Sequence, residues 1–494
     1  MARKGGHKNY LRAELSPFAE HPMGWSQLLA LVYPNSYEVA MANIGFQWLY
    51  GLLRQNPALL TERFFFDKQP ASLESDRRLG DFPVIAVSMP YEIDGLNLIE
   101  ILRASGIEPL AKDRGRTPIL IGGGDSLTLN PFPFADFFDI IILGDGEDWA
   151  RKFPEIARNT PPGLVSKDSF LDSCAKIDGV WIPSRDDGGV LRRAHPDRQI
   201  PAYTPILTSF GHFRNMFLVE AQRGCPFKCA FCASSWLDEP VFNYSVESIL
   251  SVYDEFGQGA SRVGLVGSAI AEHRDLEAII RGFAERNVSV HLSSIRLDRV
   301  SGKVVRLLAE SGAKSVTFAP ETASERLAKR IGKWIPPSDI IEQGRKLSES
   351  GFDEMKLYWI VGLPEEERED VKNLASAIEE IAKTCSMRIS CSVNPFIPKP
   401  HSRFADSPML SHRELEERFA ILKSRLKNVS NLSLEINYSR RSRLSALFSV
   451  GGRELSSAII DMSERGIKGA LKEAGIDLDA KISAPQNPSW RRIS

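Results

Sequence analysis

Cys225-Pro-Phe-Lys-Cys229-Ala-Phe-Cys232 places three cysteines close together near the middle of the chain. The motif follows an apolar run, Met216–Val219, and a tight Arg223-Gly224 pair. Thiolates are the ligands of iron–sulfur and zinc sites, and a complete 4Fe–4S cluster normally takes four of them. Three neighbouring thiolates therefore predict a cluster with one iron left open, as catalytic metal sites keep a position open for substrate.

Two simpler explanations stay open at this point. The cysteines could form a structural zinc site that lacks its fourth ligand, or they could be reduced cysteines at chance spacing. Structural zinc sites usually combine two short Cys/His pairs, and the sequence holds no second pair of this kind. The pattern favours the iron–sulfur interpretation.

The composition is that of an ordinary globular protein. The chain has 494 residues, of which 43% are hydrophobic and 25% charged, and its formal net charge is −1. This length predicts two or three domains, and the balanced charge provides no global field for nucleic acid or an anionic membrane. The six cysteines do not resemble a disulfide framework, and a thiolate cluster needs a reducing compartment. With no signal core and no membrane-length apolar run, we expect a cytoplasmic protein without a membrane partner.

Strand and helix patterns alternate through residues 1–157 and predict a doubly wound α/β domain with a parallel sheet. Its five predicted strands are Leu28–Tyr33, Arg63–Phe66, Pro83–Ser88, Pro118–Ile121 and Asp139–Leu143. Ligands of such sheets bind beyond the carboxyl ends of the strands. Two of these ends are glycine-rich, with Gly122, Gly123 and Gly124 after one strand and Gly144 and Gly146 after the next. Glycines there either let the backbone approach a bulky ligand or simply form turns.

A connector, residues 158–215, leads to a second β/α series at residues 216–404. Its six strand-like segments centre near Leu218, Val263, Val290, Val316, Leu357 and Ser392. Amphipathic helices separate them, so we predict an incomplete (β/α)6 barrel, followed by a small α+β extension at residues 405–494. In β/α barrels the chemistry lies at the carboxyl ends of the strands.

Polar residues recur at successive predicted strand ends of this barrel. Arg296 follows the third strand, Glu321 the fourth, and Lys399 and His401 the sixth. Each alone could be a surface or capping group, but their recurrence indicates a shared site. We predict that these four residues take part in catalysis.

The cysteine spacing, with Phe231 directly before the last cysteine, resembles the signature of the radical S-adenosylmethionine (radical SAM) superfamily. The resemblance implies that Cys225, Cys229 and Cys232 bind a 4Fe–4S cluster whose open iron is chelated by S-adenosylmethionine. It also implies reductive cleavage to methionine and a 5′-deoxyadenosyl radical, with an electron donor of the flavodoxin or ferredoxin type. Contacts to S-adenosylmethionine are expected from Phe231, Gly267, Ser268, Ser293, Glu321 and Gly362.

The region from Leu28 to Ile156 resembles the flavodoxin-like, cobalamin-binding domains that precede the barrel in one branch of this superfamily. Many members of that branch are uncharacterised, and their barrels are related to those of tRNA-methylthiolating enzymes. The resemblance implies cobalamin contacts from Asn35, Ser36, Gly122, Gly123, Gly124, Gly144 and Gly146. No histidine lies between His21 and His195, so a corrinoid would lack a histidine ligand from this domain. Either the cobalt is bound without a histidine from this domain, or the domain binds no cobalamin.

With cobalamin, the resemblance implies methyl transfer to an unactivated carbon of a peptide or protein side chain or of a small metabolite. A cobalamin-independent radical SAM enzyme is one alternative. A tRNA-modifying, methylthiotransferase-like enzyme is another, but it needs an auxiliary cluster, and no cysteine precedes Cys174. A non-catalytic iron–sulfur or corrinoid-binding protein is the alternative of a different class. Such a protein would not require the polar residues that follow the barrel strands. The basic cluster at residues 438–443 could hold an anionic substrate but is too short to imply nucleic acid.

Overall fold

The computed structural model describes residues 6–18, 26–67, 70–195, 198–484 and 488–494. The chain forms two compact units. The first comprises Met1–Phe217 together with Phe448–Leu478 and the end of the chain, and the second consists mainly of Leu218–Leu447. The predicted extension, residues 405–494, is thus divided between the two units. No helix in the described ranges is long and apolar enough to cross a membrane.

A six-stranded sheet forms the centre of the first unit. In spatial order its strands are Leu59–Phe65, Gln27–Tyr33, Val84–Ser88, Ile119–Gly123, Ile140–Ile142 and Val180–Trp181. The first five are parallel and the last is antiparallel. The parallel strands follow the flavodoxin-like order 2-1-3-4-5, which confirms the predicted fold class. The antiparallel strand comes from the predicted connector.

Continuous apolar strands explain how this sheet is buried. Residues 29–33 are completely inaccessible to solvent, as expected for parallel strands covered on both faces. The helices of this unit are Gly6–Ala13, Tyr37–Ala40, Ile44–Arg54, Asp94–Ala104, Asp125–Leu129, Glu147–Asn159, Lys167–Cys174 and Ser456–Glu473. A short strand, Glu14–Leu15, pairs separately with Leu207–Thr208.

The second unit is built on seven strands that lie side by side in chain order. They are Met216–Glu220, Arg262–Val266, Ser289–Leu292, Ser315–Glu321, Glu354–Val361, Arg388–Pro395 and Leu432–Ile436. They form a three-stranded and a four-stranded sheet, which a parallel bridge between Ile295 and Phe318 connects. The predicted barrel strands are all present, and Leu432–Ile436 adds a further parallel strand beside the sixth.

Serine caps fix the starts of several barrel helices. The side chains of Ser245, Ser301 and Ser324 each accept a hydrogen bond from a backbone N–H in the first helical turn. These caps end the loops that follow the strands, so they also hold the residues at the strand ends in place. The helices are Ser234–Leu237, Val246–Phe256, Leu276–Glu285, Gly302–Glu310, Glu325–Ile331, Pro337–Glu349, Arg368–Thr384, His412–Leu426, Arg440–Val450 and Leu478–Ser483.

Candidate active site

A cavity of about 290 Å³ lies at the carboxyl ends of the first four barrel strands. All three cysteines of the motif line it. The other predicted residues in its lining are Phe231, Gly267, Ser268, Ser293, Arg296 and Glu321. The structure therefore brings most of the predicted S-adenosylmethionine and cluster residues together. Gly362, Lys399 and His401 are not part of this lining.

The cysteine loop is anchored to the hydrophobic core of the second unit. Ala230 is fully buried, its N–H donates to the carbonyl of Ile331 (2.9 Å), and its carbonyl accepts from the N–H of Phe404 (2.8 Å). Phe231 packs against the same apolar cluster. Just before the motif, Gly224 has a φ of 85°, and a Cβ there would clash with the carbonyl oxygen of Asp238. The anchored loop leaves the half-buried cysteines at the cavity.

Two cations lie close to the thiols. The Nη1 atom of Arg296 is 4.0 Å from the Sγ of Cys229, and the guanidinium also stacks over the Phe227 ring at 4.1 Å. Burial raises the pKa of the Cys225 and Cys229 thiols, whereas Arg296 and Lys333 act in the opposite direction. Iron binding stabilises the thiolate form that burial disfavours. Three soft ligands beside two cations thus fit an anionic thiolate cluster. In the described ranges, no group of three His, Cys, Asp or Glu side chains is arranged to hold a single metal ion.

Sequence reasoning missed Lys333, which forms a buried ion pair with Glu321. The Nζ atom of Lys333 is 2.8 Å from Oε1 of Glu321, and the two side chains are only 8% and 10% exposed. Burial raises the pKa of Glu321, and the ammonium of Lys333 opposes this effect. Glu321 also has a φ of 70°, a backbone conformation that non-glycine residues rarely adopt. The strained strand end and the buried pair make this position a candidate functional site.

A hydrogen-bond network holds the segment after the second barrel strand. The hydroxyl of Ser293 donates to the carbonyl of Gly267 (2.9 Å). The Gln222 side chain accepts from the N–H of Ala269 (3.0 Å) and donates to Asn243 (2.9 Å). A Cβ on Gly267 would lie 3.0 Å from the Cβ of Gln222, so glycine lets this segment approach the residues just after the first strand closely.

The three predicted barrel residues outside this cavity lining, Gly362, Lys399 and His401, make other contacts. The N–H of Gly362 donates to the carboxylate of Glu366 (2.9 Å) and its φ is 86°, which gives this glycine a role in the turn. The ring of His401 stacks on that of Trp236, with centroids 3.4 Å apart. The carbonyl of Lys399 accepts from Ser402. The catalytic roles of Lys399 and His401 stay predictions.

In the first unit, Asn35 and Ser36 lie at the carboxyl edge of the sheet. The Asn35 side chain donates to Asp94 (2.9 Å), and the hydroxyl of Ser36 caps the helix Tyr37–Ala40. Both therefore stabilise the loop after the first strand. This edge includes the point between Gln27–Tyr33 and Val84–Ser88 where the strand order reverses, the usual ligand crevice of such sheets.

The five glycines at this edge differ in what surrounds them. A Cβ on Gly122 would lie 2.8 Å from the Phe138 ring, and one on Gly124 would lie 2.8 Å from the Met89 carbonyl. A Cβ on Gly144 would clash with the backbone of Ala194. Internal packing alone requires these three glycines. The nearest atoms to a Cβ on Gly123 and Gly146 lie at 3.7 and 3.5 Å, which are ordinary van der Waals distances, so internal packing would tolerate a Cβ at these two positions.

The sequence matches two family models. The model described as "Radical SAM proteins, N-terminal" matches residues 45–183, and that described as "Radical SAM superfamily" matches residues 219–378. Together they cover more than half of the chain. Uncharacterized protein MJ0966 of Methanocaldococcus jannaschii is 27% identical over 382 residues, which are 76% of this chain and 78% of that protein. Uncharacterized methyltransferase PH0819 of Pyrococcus horikoshii is 28% identical over 284 residues, which are 54% of this chain and 59% of that protein.

Two solved structures share the fold at low sequence identity. One is the cobalamin-dependent S-adenosylmethionine radical enzyme OxsB with aqua-cobalamin and S-adenosylmethionine bound, with a TM-score of 0.54 and 15% identity. The match covers 93% of this chain and 64% of OxsB. The other is the radical S-adenosylmethionine methyltransferase TsrM from Kitasatospora setae with cobalamin and a [4Fe-4S] cluster bound, with a TM-score of 0.51 and 13% identity. That match covers 74% of this chain and 75% of TsrM.

Proposed function

Because the chain belongs to the radical SAM superfamily of enzymes, we propose that it is a cobalamin-dependent methyltransferase acting on an unactivated carbon. Cys225, Cys229 and Cys232 bind a 4Fe–4S cluster, and S-adenosylmethionine occupies the adjoining cavity. The main support is that these cysteines and residues from four successive strand ends line one cavity. When bound, the reduced cluster and S-adenosylmethionine supply a 5′-deoxyadenosyl radical that abstracts hydrogen, and cobalamin supplies the methyl group.

The chain's own residues bind and orient these groups. Arg296 places a positive charge beside the cysteine sulfurs. The Ser293–Gly267 hydrogen bond fixes the backbone along the cavity wall. Glu321 presents a carboxylate and Lys333 an ammonium, and these charges are complementary to the ammonium and the carboxylate of an amino acid. Phe231 supplies an apolar surface that helps to exclude water.

The cobalamin part of the proposal rests on the first unit. Its flavodoxin-like strand order puts the usual ligand position of such sheets at the carboxyl edge, and internal packing does not by itself require glycine at Gly123 and Gly146 there. OxsB and TsrM, which share the fold, were solved with cobalamin, and the relative PH0819 is described as a methyltransferase. The absence of histidine between His21 and His195 implies a cobalt without an imidazole ligand from this segment. We propose a small metabolite or a peptide or protein side chain as substrate, a flavodoxin- or ferredoxin-type electron donor and a cytoplasmic location.

Anaerobic reconstitution tests the cluster assignment. Wild-type protein should bind about four iron atoms per chain, as one 4Fe–4S cluster requires, and should form 5′-deoxyadenosine slowly with dithionite and S-adenosylmethionine. Alanine at Cys225, Cys229 or Cys232 should abolish both. The matched control replaces the buried cysteines Cys174, Cys385 and Cys391 together and should keep the iron. Loss of the cluster in that control, with retention in the motif variants, would refute the assignment.

Methyl transfer needs a separate measurement. A deletion strain should lack a methyl group on one protein, peptide or metabolite, and mass spectrometry of matched extracts should identify it. Adding the reconstituted enzyme with trideuteromethyl S-adenosylmethionine to the mutant extract should restore that group with the label. Restoration on tRNA instead would favour the tRNA-modifying alternative.

A further inference from the structure

A second cavity, of about 840 Å³, lies in the first unit. Its wall includes residues 110–114 and 135–139, which precede the strands Ile119–Gly123 and Ile140–Ile142, and residues 453–461. Residues that lead into parallel strands lie at the amino-terminal edge of the sheet. The cavity is therefore at the opposite edge from Gly123 and Gly146 and is separate from the proposed corrinoid crevice.

The buried floor of this cavity carries two cations for one carboxylate. Asp139 pairs with Arg114 (3.0 Å) and with Lys167 (2.6 Å). The Arg114 and Asp139 side chains are 1% and 2% exposed, and the Nε atom of Arg114 has no hydrogen-bond partner within the described ranges. Burial lowers the pKa of Arg114, and Asp139 only partly opposes this effect. The Nη atoms of Arg114 already donate to Asp139 and to the carbonyls of Glu108, Pro109 and Phe137, so its Nε is the donor that remains for a further acceptor.

Most carboxylates at the rim already have a cation. The pairs are Asp136 with Arg453 (3.0 Å), Asp168 with Arg185 (3.1 Å) and Asp461 with Arg465 (3.5 Å). The Glu454 carboxylate accepts from the N–H of Gly452 (3.2 Å). Exposed Lys112 adds a cation at the rim. Arg114 and Lys167 share the single carboxylate of Asp139. We therefore expect an anionic ligand to be stabilised most beside these two cations.

The helix Ser456–Glu473 begins at this cavity. The N–H of Ser456 already donates to the carbonyl of Arg453 in the preceding 3-10 turn, and the first turn of a helix favours negative charge. Ser456 is only 6% exposed, and its hydroxyl has no hydrogen-bond partner among the residues that the structure describes. A buried hydroxyl without a partner destabilises a protein. A ligand oxygen that accepts from it would remove that penalty.

We propose that this cavity binds a small organic oxyanion, a carboxylate or a phosphate monoester. Its charged group meets Ser456, Arg114 and Lys167, and its apolar body packs against Phe138, Leu171 and Ile460. The volume lies within the range of about 300–1,000 Å³ that is typical of ligand pockets. The site does not rest on the proposed methyl transfer, since none of its residues belongs to the cluster cavity or the corrinoid crevice.

Calorimetry on the reconstituted full chain tests the site with phenyl phosphate and benzoate as probes. At least one anion should bind at one site per chain, and neutral phenol should not bind. The stronger of the two anions identifies the oxyanion class. Ser456→Ala and Lys167→Gln should each weaken that affinity by about tenfold, the usual effect of losing one hydrogen bond to a charged group. The control Lys152→Gln removes an exposed lysine outside the cavity and should bind like wild type.

Ser456→Ala also separates ligand binding from folding. Because it deletes a buried hydroxyl that has no partner, it should leave the Tm of the ligand-free protein unchanged or slightly raised. Its loss of affinity would then reflect a lost ligand contact. No saturable binding of either anion, or wild-type affinity in both Ser456→Ala and Lys167→Gln, would overturn the proposal.

Discussion

At the scale of single residues, the buried Glu321–Lys333 ion pair lies in the lining of the candidate active-site cavity. Lys333→Met leaves the Glu321 carboxylate buried without its counter-ion, so we expect a loss of about 3–5 kcal/mol in unfolding free energy. Denaturant unfolding of the full chain measures this change in unfolding free energy. The control Lys329→Met removes one partner of an exposed pair with Glu325 and should cost less than about 1 kcal/mol.

A double variant of the same pair distinguishes its effect on stability from its effect on ligand binding. In the double variant Lys333→Met/Glu321→Leu no buried charge is stranded, so much of the lost stability should return. Binding of S-adenosylmethionine, measured by calorimetry, should stay weak, because both charges that match the amino acid group are gone. Wild-type affinity in the double variant would assign the pair a purely structural role.

Sequence reasoning at this scale found residues whose position follows from a local pattern. The cysteine spacing and the strand-end positions of Glu321 and Arg296 led to residues that line one cavity. Lys333 was missed because it returns to Glu321 only through the helix Glu325–Ile331 and the left-handed turn at Gly332. The glycines were ambiguous, since close packing of the chain on itself selects glycine just as ligand contact does.

At the scale of elements, Glu366 connects the turn after the fifth barrel strand to the helix His412–Leu426. Its carboxylate accepts from the N–H of Gly362 (2.9 Å) and pairs with Arg418 (3.1 Å). Burial raises the pKa of Glu366 to about 7, and Arg418 opposes the shift. An unfolded glutamate titrates near pH ~4.3. The folded state therefore holds more protons between these values, so the stability contribution is full below about pH 4.3 and is lost as the pH rises through about 7.

Glu366→Gln tests this sign. Glutamine can still accept from Gly362 but does not titrate, so its Tm should fall less than that of wild type as the pH rises from about 5 to about 8. The neighbouring Glu365→Gln, at a side chain that is 57% exposed, should keep the wild-type slope. Parallel curves for wild type and Glu366→Gln would show that the carboxylate is ionised throughout.

The strands were largely predictable because apolar runs and turn residues identify them locally. Leu432–Ile436 lies in the segment predicted to form a separate α+β extension, and its place in the barrel sheet was not predicted. Its residues alternate between half-buried and exposed, and this pattern does not specify a neighbour. Only the parallel pairing with Arg388–Pro395 makes it a seventh barrel strand.

At the scale of the whole molecule, the first unit is discontinuous in sequence. The Asn130 side chain donates to the carbonyls of Phe448 (2.9 Å), Ser449 (3.1 Å) and Gly451 (2.9 Å), and Phe134 contacts the Phe448 ring. Contacts between segments this far apart in the chain leave no periodic signal. The sequence therefore predicted one extension after residue 404, whereas its later part packs into the first unit.

The function of the whole molecule depends on whether the first unit binds cobalamin, and we predict that it does. Titration of the full chain with hydroxocobalamin should give tight binding and a base-off spectrum, because the segment between His21 and His195 contains no histidine. Gly123→Leu should block binding, because it adds a bulky side chain at the strand end, and its Cβ would meet no protein atom closer than 3.7 Å. Gly115→Leu, with no atom within 4 Å of its Cβ, is the matched control and should bind normally. Failure of the full chain to bind, with 5′-deoxyadenosine formation intact, would exclude methyl transfer from cobalamin and leave a radical SAM enzyme with a different outcome.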